Sequence, residues 1–209
     1  TEGKPLKLIL GFSLPLMVGN VSQQLYTVVD TMVVGQALGV GALAALGASD
    51  WLNWMVLGIV QGFAQGFSIK MSHEFGAGEY RRLCKTIANS LLLALGTSLA
   101  LLAASQIFAR PILLLLQTPE AIVADSLSYL RIMFAGIPVV MAYNILAAIL
   151  RALGDGKTPL YAMVVAALIN VALDLLFVLG FGWGIRGAAA ATIIAQVCSG
   201  LFCLVVIRR

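Results

Sequence analysis

Short segments that carry most of the charged residues divide the chain into six long apolar stretches. To within several residues at each end, the stretches cover residues 8–36, 43–69, 87–108, 127–150, 160–181 and 188–207. Each stretch reaches the roughly 20 residues that an α-helix needs to cross about 30 Å of hydrocarbon. The sequence therefore predicts an all-α membrane protein with six transmembrane helices.

The composition excludes several classes of protein. Of the 209 residues, 61% are hydrophobic and 11% are charged, and the mean hydropathy is +1.00. A soluble domain carries about 25% charged residues, so this chain has too few charges to cover a surface in contact with water. We therefore exclude a soluble enzyme, a disordered chain and a nucleic-acid-binding domain, and we expect the lipid bilayer to surround the chain.

Lysine and arginine predict the orientation in the membrane. With a cytoplasmic N-terminus, ten of the 13 basic residues lie on the cytoplasmic side, as the positive-inside rule requires. Arg110 and Arg186 lie outside, and Arg131 is near the outer end of the fourth stretch. Six spans then place both termini in the cytoplasm, and we expect the plasma (bacterial inner) membrane as the location. The ten residues are Lys4, Lys7, Lys70, Arg81, Arg82, Lys85, Arg151, Lys157, Arg208 and Arg209.

Three acidic residues, Asp30, Asp50 and Asp174, lie within apolar stretches, where a charge is costly and indicates a functional site. Counted at about 1.5 Å per residue, Asp30, Asp174 and Thr192 all fall roughly 8–10 Å below the outer surface. Asn170 precedes Asp174 by one helical turn and shares its helix face. We expect these four side chains to form one site, provided that the first, fifth and sixth helices meet.

The predicted site is suited to a proton or to a hard cation such as Na⁺. Burial and the repulsion of a second carboxylate both oppose the ionised form of an acid, so the pair favours binding of a positive charge. Asn170 and Thr192 add neutral oxygens. Gln23, two turns below Asp30, is a candidate supporting residue. The competing interpretation is that these polar groups only join neighbouring helices by hydrogen bonds.

Other polar and small residues of the second stretch allow two interpretations. Asp50 is near the outer end of the stretch, where contact with water accounts for its charge. Gly58, Gly62 and Gly66 form a ladder of small residues that predicts close helix packing. Together with the neighbouring Gln61, the same ladder is a candidate lining for a substrate cavity.

The sequence contains no motif for metal binding, ATP hydrolysis or covalent catalysis. The lone His73 falls in the basic segment after the second stretch, and the three cysteines lack metal-ligand spacing. No Walker, HExxH or GxSxG motif is present. We therefore expect no enzyme activity and no cofactor other than a coupling ion, H⁺ or Na⁺, which drives any transport.

Six sequence segments together resemble the multidrug and toxic compound extrusion (MATE) family of efflux transporters. Each segment alone is a weak signal, but their order and spacing extend over nearly the whole chain. They are Pro15 with QQLYTVVDTMVVG at 23–35, HEFGAGE at 73–79, YLRI and GIP within 129–138, LRALGDGKTP at 150–159, NVALD at 170–174 and GIRGAAAAT at 184–192.

The resemblance implies a twelve-helix transporter with two six-helix lobes, of which residues 1–209 form the N-terminal lobe. The C-terminal lobe of the same protein is then the missing partner. In the family, an acid on helix 1, the Asn-xxx-Asp of helix 5 and a Thr on helix 6 bind the coupling cation, and these match Asp30, Asn170, Asp174 and Thr192. Tyr129 and Asn144 match further members of that network. Pro15 matches the position of a bend in helix 1.

The implied activity is antiport, in which H⁺ or Na⁺ entry drives the export of small cationic, amphiphilic drugs and other toxic compounds. A lipid-linked oligosaccharide flippase of the same superfamily is the close alternative, but it should show several cations in its cavity, and Arg131 is the one candidate here. A six-helix channel or scaffold that dimerises is a further alternative, favoured if 209 residues is the natural length. A membrane enzyme is disfavoured because the apolar stretches contain no nucleophile or metal set.

Overall fold

The computed structural model describes Met17, Val21, Gln24 and residues 27–208. Within these residues the chain is helical, with no β-strand. A π-helix at Leu175–Gly180 continues α6 directly. The α-helices are α1 (Thr27–Leu38, its described part), α2 (Val40–Gly76), α3 (Tyr80–Leu115), α4 (Glu120–Ala135), α5 (Ile137–Ala152), α6 (Lys157–Asp174) and α7 (Ile185–Arg208).

Four helices in the described part of the chain are long and apolar enough to cross a membrane, and α4 and α5 together form a fifth, bent span. The four are α2, α3, α6 with its π-helical continuation, and α7. The predicted stretches from 43–69 onward lie within these helices, apart from Gly136 between α4 and α5 and Phe181 at the end of the fifth stretch. The predicted first stretch, 8–36, falls largely outside the described residues, as do Pro15 and Gln23.

The helices α2 and α3 are longer than the apolar stretches that predict them. With 37 and 36 residues, each is about 55 Å long at 1.5 Å per residue, well beyond the hydrocarbon thickness. The extra turns carry the basic residues near His73, which lies on α2 rather than in a loop. Because polar helix-forming residues continue the helices into water, the connecting loop is reduced to residues 77–79.

The fourth predicted stretch, 127–150, is divided at Gly136 into α4 and α5, which meet at 45°. Pro138 lies in the first turn of α5 and lacks a backbone N–H, so the hydrogen-bond ladder is interrupted there. The side chain of Ile193 on α7 occupies the space that a side chain at Gly136 would need. The bend is therefore packed against α7, one residue from Thr192.

Small residues allow α7 to approach α6 closely. Ala188, Ala189 and Ala191 are fully buried, and the Ser199 hydroxyl donates a hydrogen bond to the Ala162 carbonyl of α6 over 3.2 Å. Such small-residue contacts and interhelical hydrogen bonds are the usual means of joining helices in lipid. This close packing holds α7 against the helix that carries Asn170 and Asp174.

The short loop before α6 is fixed by Asp155. Its Oδ1 accepts hydrogen bonds from the backbone N–H groups of Lys157 (3.1 Å) and Thr158 (3.0 Å), and its Oδ2 accepts one from the Thr158 hydroxyl. Partial burial opposes ionisation, but these hydrogen bonds outweigh it and hold the pKa of Asp155 below its ordinary value. An ionised carboxylate thus satisfies the free donors at the start of α6.

The π-helix that follows Asp174 is closely packed against Gly187 at the start of α7. A Cβ atom at Gly187 would lie 3.0 Å from the Cβ of Phe177 and 3.2 Å from the Cβ of Trp183. These two rings stack with centroids 4.9 Å apart, and Phe181 joins them at 5.6–6.0 Å. The absence of a side chain at Gly187 therefore allows the C-terminal end of α6 and the N-terminal end of α7 to meet.

We expect Gly187→Ala to lower the free energy of unfolding by about 1–3 kcal/mol, because the new methyl group overpacks the contact with the π-helix. The measurement is denaturant unfolding of the purified protein in detergent, followed by tryptophan fluorescence. Gly96→Ala on α3 is the matched control, since nothing lies within 4 Å of a Cβ there. Equal destabilisation of both variants would contradict the proposed role of the contact.

Candidate cation-binding site

Three helices bring together the four polar residues that the depth count selects. Asp30 comes from α1, Asn170 and Asp174 from α6, and Thr192 from α7. Asp174 has no exposed surface and Asn170 is 2% exposed, while Asp30 and Thr192 are partly buried. The faces of these helices therefore meet, as the site requires.

The carboxyl groups of Asp30 and Asp174 lie within hydrogen-bonding reach of each other. The Oδ1 atom of each is buried and has no hydrogen-bond partner among the residues that the structure describes. Two ionised carboxylates at this separation repel each other strongly, and a buried acceptor without a donor costs about 1–3 kcal/mol. A bound proton or cation removes both penalties.

The amide of Asn170 lies between Asp174 and Thr192. In one orientation its Nδ2 donates to the Thr192 hydroxyl over 3.3 Å. Turned over, its Nδ2 donates to Oδ2 of Asp174 and its Oδ1 accepts from the Thr192 backbone N–H, each over 3.2 Å, so that both ends of the amide are satisfied. The Thr192 hydroxyl itself donates to the Ala188 carbonyl over 3.1 Å. Asn170 thus joins the acid pair to α7.

The oxygens gathered here belong to two carboxylates, an amide and a hydroxyl. Such an oxygen set suits a proton or a hard cation. No group of three or more His, Cys, Asp or Glu side chains that could hold a metal ion occurs in residues 27–208 or at the three described positions before them. The site therefore offers oxygen chemistry without the nitrogen or sulfur ligands that softer metals prefer.

The other predicted residues lie on other helices or outside the described residues. Tyr129 is buried on α4. Asn144 on α5 donates to the Val140 carbonyl of its own helix over 2.8 Å, and Gln61 on α2 is exposed. Asp50 is also exposed on α2, yet it lies near enough to act electrostatically on Asp30.

One polar residue beside the site was not selected from the sequence. Gln196 follows Thr192 by one turn of α7, and its Oε1 atom is buried without a hydrogen-bond partner in the described part of the chain. The four-residue spacing from Thr192 is the signal that could have found it. A neutral amide in an apolar helix is less costly than a charge, so Gln196 is a weaker signal of a functional site than Asp30 or Asp174.

A bundle of membrane-length apolar helices with a buried carboxylate pair defines an integral membrane protein of the transporter class. The MatE family model matches residues 15–176, and the chain belongs to this family of multidrug and toxic compound extrusion proteins. Members of the family are transporters and not enzymes.

Individual relatives and solved structures agree with the family assignment. The "probable multidrug resistance protein YpnP" of Bacillus subtilis is 35% identical over 196 residues, which are 94% of this chain and 44% of YpnP. The FAD transporter of Shewanella oneidensis is 29% identical over 191 residues, 90% of this chain and 42% of that protein. A multidrug resistance MATE family transporter solved in its outward-facing conformation superposes with a TM-score of 0.92 at 28% identity, covering 99% of this chain and 46% of that one. The chain thus spans less than half the length of these proteins.

Proposed function

We propose that this chain is the N-terminal lobe of an ion-coupled antiporter that exports cationic, amphiphilic drugs and other toxic compounds from the cell. The contact between the carboxyl groups of Asp30 and Asp174 carries the proposal, because their Oδ1 atoms have no hydrogen-bond partner in the described part of the chain and a bound positive charge would stabilise them. The coupling ion is H⁺ or Na⁺, and no further cofactor is part of the proposal. The protein lies in the plasma (bacterial inner) membrane with both termini in the cytoplasm.

The ion acts by changing the relative stability of two conformations. An ion bound between Asp30 and Asp174 removes their repulsion and draws α1 toward α6, whereas its release lets the two helices separate. The ion can drive the transition only to the extent that its affinity differs between the two conformations. Because Asp30 is the one member of the site on α1, movement of this helix is the step that couples the ion to the drug, with Pro15 as the proposed bend.

The face of α2 that is exposed in this lobe supplies one wall for the substrate. An apolar groove of about 350 Å³ runs along it, lined by Ile59, Gly62, Phe63, Gly66 and Phe67. The volume is within the range of small-molecule pockets, which close around most of a ligand's surface. We propose that the second lobe provides the facing wall, and that Gln61 and the glycine ladder line the cavity between them.

The names of the relatives support a transport function. The class of substrate is part of our proposal. Several are named as multidrug resistance or multidrug export proteins, whereas one is named for FAD. The apolar lining of the α2 groove favours an amphiphilic substrate over a strongly anionic one.

The proposal is tested with the full-length protein reconstituted in liposomes, under Na⁺ and H⁺ gradients imposed separately. We expect a fluorescent organic cation to accumulate under one of the gradients, and the accumulation to stop when an ionophore collapses that gradient. Liposomes without protein give the background. Transport that is independent of both gradients, or equal to the background, would overturn the proposal.

A further inference from the structure

Gln196, whose Oε1 atom is buried, lies one helical turn beyond Thr192 toward the C-terminal end of α7. Two hydrogen bonds between α6 and α7 bracket it, from Asn170 to Thr192 on one side and from Ser199 to Ala162 on the other. Between these two contacts α6 presents Ala166, which is buried and has too small a side chain to fill the interface alone. Gln196 therefore occupies a section of the α6–α7 interface that has room for a polar group.

The helical angles of α7 direct Gln196 to the junction of three helices. At about 100° per residue, Gln196 is about 40° from Thr192 and about 60° from Ser199, both of which contact α6. It is about 60° from Ile193 and 40° from Gly200 in the opposite direction. Ile193 packs on Gly136, and Gly200 faces Tyr143, so that side belongs to α5 and its bend. The side chain of Gln196 thus enters the crevice between α5 and α6.

The Oε1 atom of Gln196 resembles the Oδ1 atoms of the acid pair, which lie about two helical turns away along the α6–α7 interface. It is buried without a donor among the described residues, as are Oδ1 of Asp30 and Oδ1 of Asp174. A buried acceptor is retained at such a cost when a ligand or a water molecule supplies the missing donor during function. Three such acceptors in one corner of the lobe describe a short polar path rather than an isolated site.

We propose that Gln196 is a positioning residue on the path of the coupling ion, which holds the hydrated cation, hydronium or Na⁺, between the acid pair and the cytoplasmic half of the lobe. The proposal rests on the proposed function of Asp30 and Asp174. An amide oxygen suits this task because it accepts a hydrogen bond from the water around a cation, or binds Na⁺ directly. Gln196 consequently affects the rate of ion transfer more than the affinity of the acid pair.

The test uses the full-length protein in liposomes, with a fluorescent organic cation and separate Na⁺ and H⁺ gradients. We expect Gln196→Leu and Gln196→Met to reduce the maximal transport rate about tenfold, because a hydrogen bond to a charged species is lost. The KM for the organic cation and the equilibrium binding of the coupling ion should remain unchanged. Gln196→Glu keeps an oxygen with the same reach and should retain at least about a third of the wild-type rate.

Gln106→Leu on α3 is the matched control. Its amide donates to the Arg131 carbonyl across α3 and α4 over 2.8 Å, so the variant loses an exposed interhelical hydrogen bond away from the ion path. We expect its transport rate to stay within about twofold of the wild type. The gradient that drives transport in the wild type shows whether hydronium or Na⁺ uses the path.

The outcomes separate this inference from the function on which it rests. If the Leu and Met variants of Gln196 transport at the wild-type rate while Asp30→Asn is inactive, Gln196 only packs helices and the inference is wrong. The inference would also be wrong if the Glu and Met variants lost the same fraction of the transport rate. That result would show that the oxygen at position 196 is not needed and that the side chain only packs. Full activity of Asp30→Asn would refute the proposed function instead. Membrane levels of each variant are compared by size-exclusion chromatography in detergent.

Discussion

Efflux of a fluorescent organic cation should fall to the level of cells without the transporter when Asp30 or Asp174 is replaced by Asn. Asn keeps the size and part of the hydrogen-bonding capacity of the side chain but can neither take up a proton nor carry the charge that attracts Na⁺. One acid without the other leaves a site that binds the coupling ion weakly, so the ion gradient no longer drives export. The measurement is the rate of dye loss from preloaded cells that express the full-length protein.

A matched acid provides the control for these variants. Asp125 is exposed on α4, and Asp125→Asn should leave efflux within about twofold of the wild type, as is usual for exposed positions. Expression in the membrane should be normal for all three variants, because removing one of two repelling charges does not destabilise the bundle. Wild-type efflux in either Asp30→Asn or Asp174→Asn would show that the acid pair is structural.

The second prediction concerns transport by the isolated N-terminal lobe. The 209-residue chain, reconstituted alone in liposomes, should give no ion-driven uptake of an organic cation. The α2 groove is open on one side, with Ile59 and Phe63 each 40% exposed, whereas a transported ligand must be enclosed and released alternately. The same preparation of the full-length protein should transport.

The isolated lobe should nevertheless bind the coupling cation. The four proposed ligands, Asp30, Asn170, Asp174 and Thr192, all belong to α1, α6 and α7 of this lobe. Binding of radioactive Na⁺, or proton uptake on a pH jump, measures this in detergent, and Asp174→Asn gives the background. Gradient-driven accumulation by the isolated chain would refute the two-lobe proposal and favour the dimerising channel or scaffold considered from the sequence.

Much of the fold follows from the distribution of apolar residues. Five stretches lie within the helices described, because crossing a membrane demands about 20 apolar residues whatever their neighbours. The helix ends could not be found in this way. The charged turns of α2 and α3 remain helical in water, where hydropathy gives no signal. The 45° bend at Gly136 depends on its contact with Ile193, which is remote in sequence.

The charged residues of the candidate site could be predicted from the sequence. Asp30 and Asp174 are predicted site residues because a carboxylate is costly in lipid. Depth counting places Thr192 at their level, and the four-residue spacing places Asn170 on the helix face of Asp174. The structure brings these four together, and their role as ion ligands stays a prediction. Gln196 was missed because only the packing of α5, α6 and α7 shows that its oxygen lacks a donor.

The π-helix after Asp174 has a consequence for comparing this chain with its relatives. Its hydrogen bonds close over five residues instead of four, so the segment Leu175–Gly180 holds about one residue more than an α-helix spanning the same distance. A relative that is α-helical throughout this segment should align with a one-residue gap between Asp174 and Gly184. Alignments forced to be continuous there would shift the register of α7 and assign the wrong residue to the position of Thr192.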